Sequence, residues 1–126
     1  MTASVFLVAL GGALGAVLRF LAGVGMSRLV GAPAFPVAIL AVNVIGSLAM
    51  GVFAAASAQR GLGDLNLFVM TGILGGFTTF SAFSLETVSL IERGDFGLAG
   101  LYVALSVGLS VGALAVGMVW ARGFWA

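Results

Sequence analysis

The sequence predicts an all-α membrane protein with four transmembrane helices, and two observations carry that expectation. The 126-residue chain is 62 % hydrophobic and 7 % charged, against about 25 % charged residues in soluble domains, so too little polar surface exists to cover a water-soluble fold. Its charges stand at Arg19, Arg28, Arg60, Asp64, Glu86, Glu92, Arg93, Asp95 and Arg122, leaving long apolar stretches between them. A helix needs roughly 20 mostly apolar residues to cross the hydrocarbon core, and four segments reach that length: about 4–28, 36–58, 66–91 and 98–122. Residues 1–126 are read as a single four-helix transmembrane domain.

The residue types that are missing exclude several chemistries. There is no cysteine and no histidine, hence no thiolate, imidazole ligand, disulfide or side chain that ordinarily titrates near neutrality. Metalloenzymes and triad hydrolases fall away, and no catalysed reaction is expected. Five isolated arginines and a net charge of +1 offer no basic stripe for a phosphate backbone, so nucleic acid is not a partner.

The first span begins within a few residues of Met1, without a basic leading region or a small-x-small cleavage site, and is read as a retained helix. It carries Arg19, roughly 13 Å before Arg28 along the axis. An intramembrane charge is a functional candidate. Arg19 either snorkels to the headgroups or stands at the mouth of an aqueous vestibule, attracting anions. A turn at Gly31-Ala32-Pro33 follows, and Pro36 opens the second helix. Asn43 lies roughly 10 Å inside that helix, where its amide must find a partner, and Ser47 follows one turn later on the same face. Gln59 to Asp64 form the second connection.

The third span contains Gly75-Gly76-Phe77-Thr78-Thr79-Phe80-Ser81. Two glycines followed by hydroxyl residues disfavour regular helix, and a break is expected here. Unwound backbone at mid-bilayer is tolerated only inside protein or along a wet cavity, where its carbonyls can serve a cation. Phe80 and Phe83, three apart, share a face, and Glu86 lies near the far end. After the turn at Glu92-Arg93-Gly94-Asp95, the fourth helix places Tyr102, Ser106 and Ser110 at i, i+4 and i+8, one stripe of hydroxyls. The 20 glycines include small-xxx-small pairs at Gly11/Gly15, Gly12/Ala16, Ser47/Gly51, Gly72/Gly76 and Gly108/Gly112, read as close helix contacts in lipid.

Orientation should follow arginine placement, but the first and third connections carry Arg28 and Arg93 while the second connection and the C-terminus carry Arg60 and Arg122. The tie predicts insertion in both orientations and pairing with an inverted copy.

Gly11-Gly12-Ala13-Leu14-Gly15-Ala16-Val17-Leu18-Arg19, Asn43-Val44-Ile45-Gly46-Ser47 with Gly51, and Gly75-Gly76-Phe77-Thr78-Thr79-Phe80-Ser81-Ala82-Phe83 together resemble the Fluc (CrcB) family of fluoride channels. The resemblance covers all four spans. It implies an antiparallel, dual-topology homodimer in the cell inner membrane, exporting cytoplasmic fluoride passively through two pores. It places Asn43, Phe80 and Phe83 in the pore wall, Tyr102, Ser106 and Ser110 along a polar stripe, and Arg19 in the vestibule. It further implies a structural Na+ at the dimer centre, held by the main-chain carbonyls of Gly75 and Thr78 from both subunits. Where the family often has a last threonine in Thr-Thr-Phe-Ser-Thr-Phe, this chain has Ala82; Ser81 and Ser84 remain nearby as pore hydroxyls.

Fluoride is small and strongly hydrated, so its pore needs dense, preorganised neutral donors: the Asn43 amide, hydroxyls, and the positive edges of phenylalanine rings. A fixed cation beside the ion would trap it. The competing expectation is a small proton-coupled multidrug exporter of dual topology. Such exporters depend on an acid in the first helix; this chain has Arg19 there, and Glu86 lies in the third span.

Overall fold

The computed structural model describes residues 1–31 and 35–125, Trp125 by its backbone alone. The described residues form helices and connections, without strands. Helix α1 spans Thr2–Val30 and closes on Gly31, at φ 80°; the turn expected from Ala32 to Pro33 lies outside the described residues. Helix α2 spans Val37–Arg60 and ends on Gly61 in the left-handed region (φ 61°, ψ 58°), whose N–H donates to the Ser57 carbonyl. A glycine here avoids the Cβ clash that other residues meet at positive φ.

The third span is built in two pieces. The first, α3 (residues 64–77), opens with a helical turn at Asp64–Asn66, widens into a π-helix at Leu67–Leu74, and returns to α geometry at Gly75–Phe77. Thr78 (φ −84°, ψ 156°) and Thr79 (φ −151°, ψ 120°) are extended, and α4 runs from Phe80 to Glu92. A tight corner with Gly94 at φ 81° leads into α5, Phe96–Trp125. Among the described residues, four helical stretches, Thr2–Val30, Val37–Arg60, Asp64–Glu92 and Phe96–Phe124, are long and apolar enough to cross a bilayer. The chain is a multi-pass membrane protein.

Packing sorts these elements into two close pairs, α1 against α3 and α2 against α5, with α4 lying on α5. In lipid, helix association depends on close van der Waals approach, because the tails are as apolar as leucine. The α1–α3 pair meets backbone to backbone. A Cβ added at Gly11 would sit 2.8 Å from the Gly72 Cα, and one at Gly76 would sit 2.6 Å from the Gly12 carbonyl oxygen. Gly51 faces the Leu114 carbonyl across the α2–α5 contact. Gly108 and Gly112, expected as a helix contact, meet nothing within 4 Å, because they lie on a part of α5 that other elements of this chain leave uncovered.

A small cluster of Leu90, Ala99 and Tyr102, flanked by Phe35, Ile39 and Phe83, joins α4 to α5. Most other large apolar side chains, such as Phe6, Phe20, Leu85 and Val111, face outwards, as helices surrounded by lipid tails permit.

The α1–α3 contact predicts unequal tolerance of the same added methyl. Gly15→Ala drives a Cβ into the Ile73 carbonyl and to 2.8 Å from the Phe77 nitrogen, whereas Gly100 opens on free space. Gly15→Ala should cost about 1–3 kcal/mol of stability and lower the thermal midpoint of the purified protein; Gly100→Ala should leave it unchanged. Equal midpoints would dismiss the contact.

Candidate ion pathway

The candidate pathway is organised around the two extended residues of the third span. Gly75 and Gly76 have poor helix propensity, and threonine hydroxyls compete with the backbone for its hydrogen bonds. Both hydroxyls do so here. Thr78 Oγ1 donates to the Leu74 carbonyl (2.9 Å), and Thr79 Oγ1 accepts from the Ala82 N–H (3.1 Å), capping α4.

Extended backbone releases groups from the helical ladder, and side chains from other spans meet them. The Asn43 amide pairs with Thr79 at both ends: its Oδ1 accepts from the Thr79 N–H (2.8 Å), and its Nδ2 donates to the Thr79 carbonyl (3.1 Å). An amide carries two N–H donors; one is thereby committed. Arg19 Nε donates to the Gly76 carbonyl at 3.1 Å. Since the Thr79 N–H goes to Asn43, the Gly75 carbonyl loses its i+4 helical donor.

Beside the interruption lies an open cavity of about 360 Å³ between α2, α4 and α5. Asn43, Phe80, Phe83, Ser106 and Ser110 line it, and so do Ser47, Thr78 and Thr79; no charged residue does. The Ser110 hydroxyl oxygen is buried without a hydrogen-bond partner, and the buried Tyr102 and Ser106 hydroxyls have no partner but each other. Aromatic rings run in a chain from Phe80 to Phe83 (centroids 5.4 Å apart), to Tyr102 (5.2 Å), to Phe35 (5.6 Å, edge-on at 87°). Phe80 is 78 % exposed, leaving most of its ring uncovered by the rest of its own chain.

A second, wider cavity of about 690 Å³ opens between the end of α1 and the start of α2, with Glu86 of α4 on its wall. Arg19 and Arg28 line it too, so it concentrates charge where the first cavity has none.

Not every residue singled out in the sequence reaches a cavity wall. Tyr102 is fully buried beneath Phe83 rather than lining the first cavity. Ser81 is exposed, with its hydroxyl 3.2 Å from Thr79 Oγ1, and Ser84 lines neither cavity. Thr78 is the first residue of the interruption, and Gly75 lies three residues before it, on the exposed side of α3. The role of Thr79 as backbone partner of Asn43, and the gathering of Arg28 with Arg19 and Glu86, were not apparent in the sequence. The one available signal was an amide deep in an apolar helix, which has to bond something.

Comparison with known proteins converges on one family. The family profile described as "CrcB-like protein, Camphor Resistance (CrcB)" matches residues 6–118. A protein of Roseobacter denitrificans named "Fluoride-specific ion channel FluC" is 64 % identical over 121 residues, covering 95 % of this chain and 96 % of that one. One of Ruegeria sp. with the same name is 58 % identical, covering 98 % of each chain. A third, from Cereibacter sphaeroides, is 56 % identical over the whole length of both. With nearly its full length matched by the family profile and by these relatives, the chain belongs to the CrcB family.

Proposed function

We propose that this protein is a fluoride channel, passing the anion passively down its electrochemical gradient and out of the cell across the inner membrane. The relatives named above are fluoride-specific ion channels, and no reaction is catalysed. The observation that carries the reading is the uncharged cavity walled by Asn43, Phe80, Phe83, Ser106 and Ser110, with the Ser110 hydroxyl buried and unpartnered in its wall. Buried hydroxyl donors without an acceptor are costly. A small dehydrated anion is an acceptor of the right size and sign.

The roles of the side chains follow from their hydrogen bonds. Asn43 spends one N–H on Thr79, which fixes the amide plane and leaves the other N–H for the ion. Phe80 and Phe83 add positive ring edges. Tyr102 packs against Phe83, and Ser81 and Ser84, outside the cavity wall of the single chain, serve the path only as a second copy completes it, in place of the hydroxyl missing at Ala82. Neutral donors bind weakly enough for the ion to leave again, while the arginines of the wider cavity raise the local anion concentration at the mouth.

The working unit is an antiparallel homodimer of dual topology. The balanced arginines support it, as do the uncovered faces at Phe80 and at Gly108 and Gly112. A structural Na+ fits its centre. The carbonyls of Gly75 and Thr78 lie at the interruption, the former without its i+4 donor. Bound there by two copies, the cation would supply positive charge to oppose the carbonyl dipoles. The multidrug exporter has no support: the first span carries Arg19, hydrogen-bonded to backbone, in place of an acid.

Proteoliposomes loaded with fluoride should release it once a potassium ionophore dissipates the charge, while chloride-loaded vesicles stay silent; equal release would end the selectivity claim. In the same assay Phe80→Ile and Phe83→Ile, which keep bulk but lose the ring quadrupole, should slow release by about tenfold with the dimer intact. Unchanged release would return both rings to plain packing.

Dual topology has its own test. The chain has no cysteine, so Gln59→Cys, at the exposed end of α2, gives a single thiol. An impermeant reagent applied to one side of sealed vesicles should modify about half of the copies; complete or absent modification contradicts dual insertion.

A further inference from the structure

The Arg19 side chain does more in this structure than put a charge at a cavity mouth. Its Nε donates to the Gly76 carbonyl across 57 positions of sequence, and that carbonyl sits two residues before the extended pair Thr78-Thr79. In an unbroken helix the Gly76 oxygen would accept from the amide four residues on, at Phe80. With residues 78 and 79 extended, Arg19 reaches over from α1 to meet it. Gly76 also lies close against α1 at Gly12, where an added Cβ would come within 2.6 Å of the Gly12 carbonyl oxygen, so the same helix that brings Arg19 sets the distance of this segment. Asn43 does the corresponding work for Thr79 from α2.

We infer that Arg19 is a positioning residue for the interruption: its Nε–H, independently of its charge, holds the Gly76 carbonyl and with it the start of α4 that carries Phe80 and Phe83. The inference deepens the channel reading and rests on it for its transport readout. It separates two properties that one guanidinium combines, a directed donor and a positive charge, and the chemistry of side chains lets them be separated by experiment. Glutamine places its Nε2 at the same bond count from the backbone as arginine Nε and donates N–H without charge. Methionine has the same length and no donor. Other charged groups facing the site are Arg28 and Glu86, on the wall of the same wide cavity, and both stay in place in the two variants.

The test compares wild type, Arg19→Gln and Arg19→Met as purified dimers in proteoliposomes, following fluoride release at about 0.01 M and about 0.15 M ionic strength. Arg19→Gln should release fluoride within about twofold of wild type at the higher ionic strength, where the lost charge is screened, and more slowly at the lower. Arg19→Met should be slower by about tenfold or more at both, the effect of leaving the part-buried Gly76 carbonyl without its donor. Thermal midpoints of the same samples read the strut without any transported ion: Arg19→Gln near wild type, Arg19→Met clearly lower. The inference is overturned if the two variants behave alike in release and midpoint, if Arg19→Gln is inactive at both ionic strengths, or if Arg19→Met matches wild type. A wild-type protein that released no fluoride would instead refute the channel reading, and the midpoints would still decide the strut.

Discussion

Backbone polar groups inside a bilayer have to be paired within the protein, since no water is there to receive them and each unpaired group costs several kcal/mol. An extended stretch in the middle of a membrane span is therefore possible only if neighbouring elements supply the missing partners. Here the Asn43 amide does this for both polar groups of Thr79, acting as a piece of substitute backbone. Arg19 does it for Gly76, and the Thr79 hydroxyl for the first turn of α4. Each of these bonds requires its helix at a fixed distance from the third span. That demand gives the glycine contacts between α1 and α3 their purpose, because a larger residue at Gly11 or Gly15 would push Arg19 out of reach.

The same arrangement divides polar groups between two cavities. The wider holds Arg19, Arg28 and Glu86; the narrower holds amide, hydroxyl and phenylalanine groups without charge. A path for a strongly hydrated anion needs this division, since charge at the mouth gathers ions and neutral donors further in let them go. Both arrangements are tied to the interruption, Arg19 of the wider cavity being bonded to Gly76 just before it and Asn43 of the narrower to Thr79 within it.

The spans were legible in the sequence because length and apolarity are what a bilayer selects. The turns were legible where glycine takes positive φ, as at Gly61 and Gly94. Asn43 and Arg19 were legible as polar residues in need of partners. The partners themselves were not, because Thr79 and Gly76 come within reach only through the relative placement of whole helices. The π-helix at Leu67–Leu74 left no trace in its apolar run, whose residues suit α and π geometry alike. Spacing put Tyr102, Ser106 and Ser110 on one face, but spacing says nothing of depth, and Tyr102 proves to lie beneath a phenylalanine ring rather than at the cavity wall.

The central claim is that this neutral, partly dehydrating passage carries fluoride and rejects the larger halide. It is tested most directly by the reversal potential of the purified protein in a planar bilayer with fluoride on one side and chloride on the other. The account predicts a reversal set by the fluoride gradient alone, unmoved when chloride is exchanged for an impermeant anion. A reversal potential that shifts with chloride would contradict it.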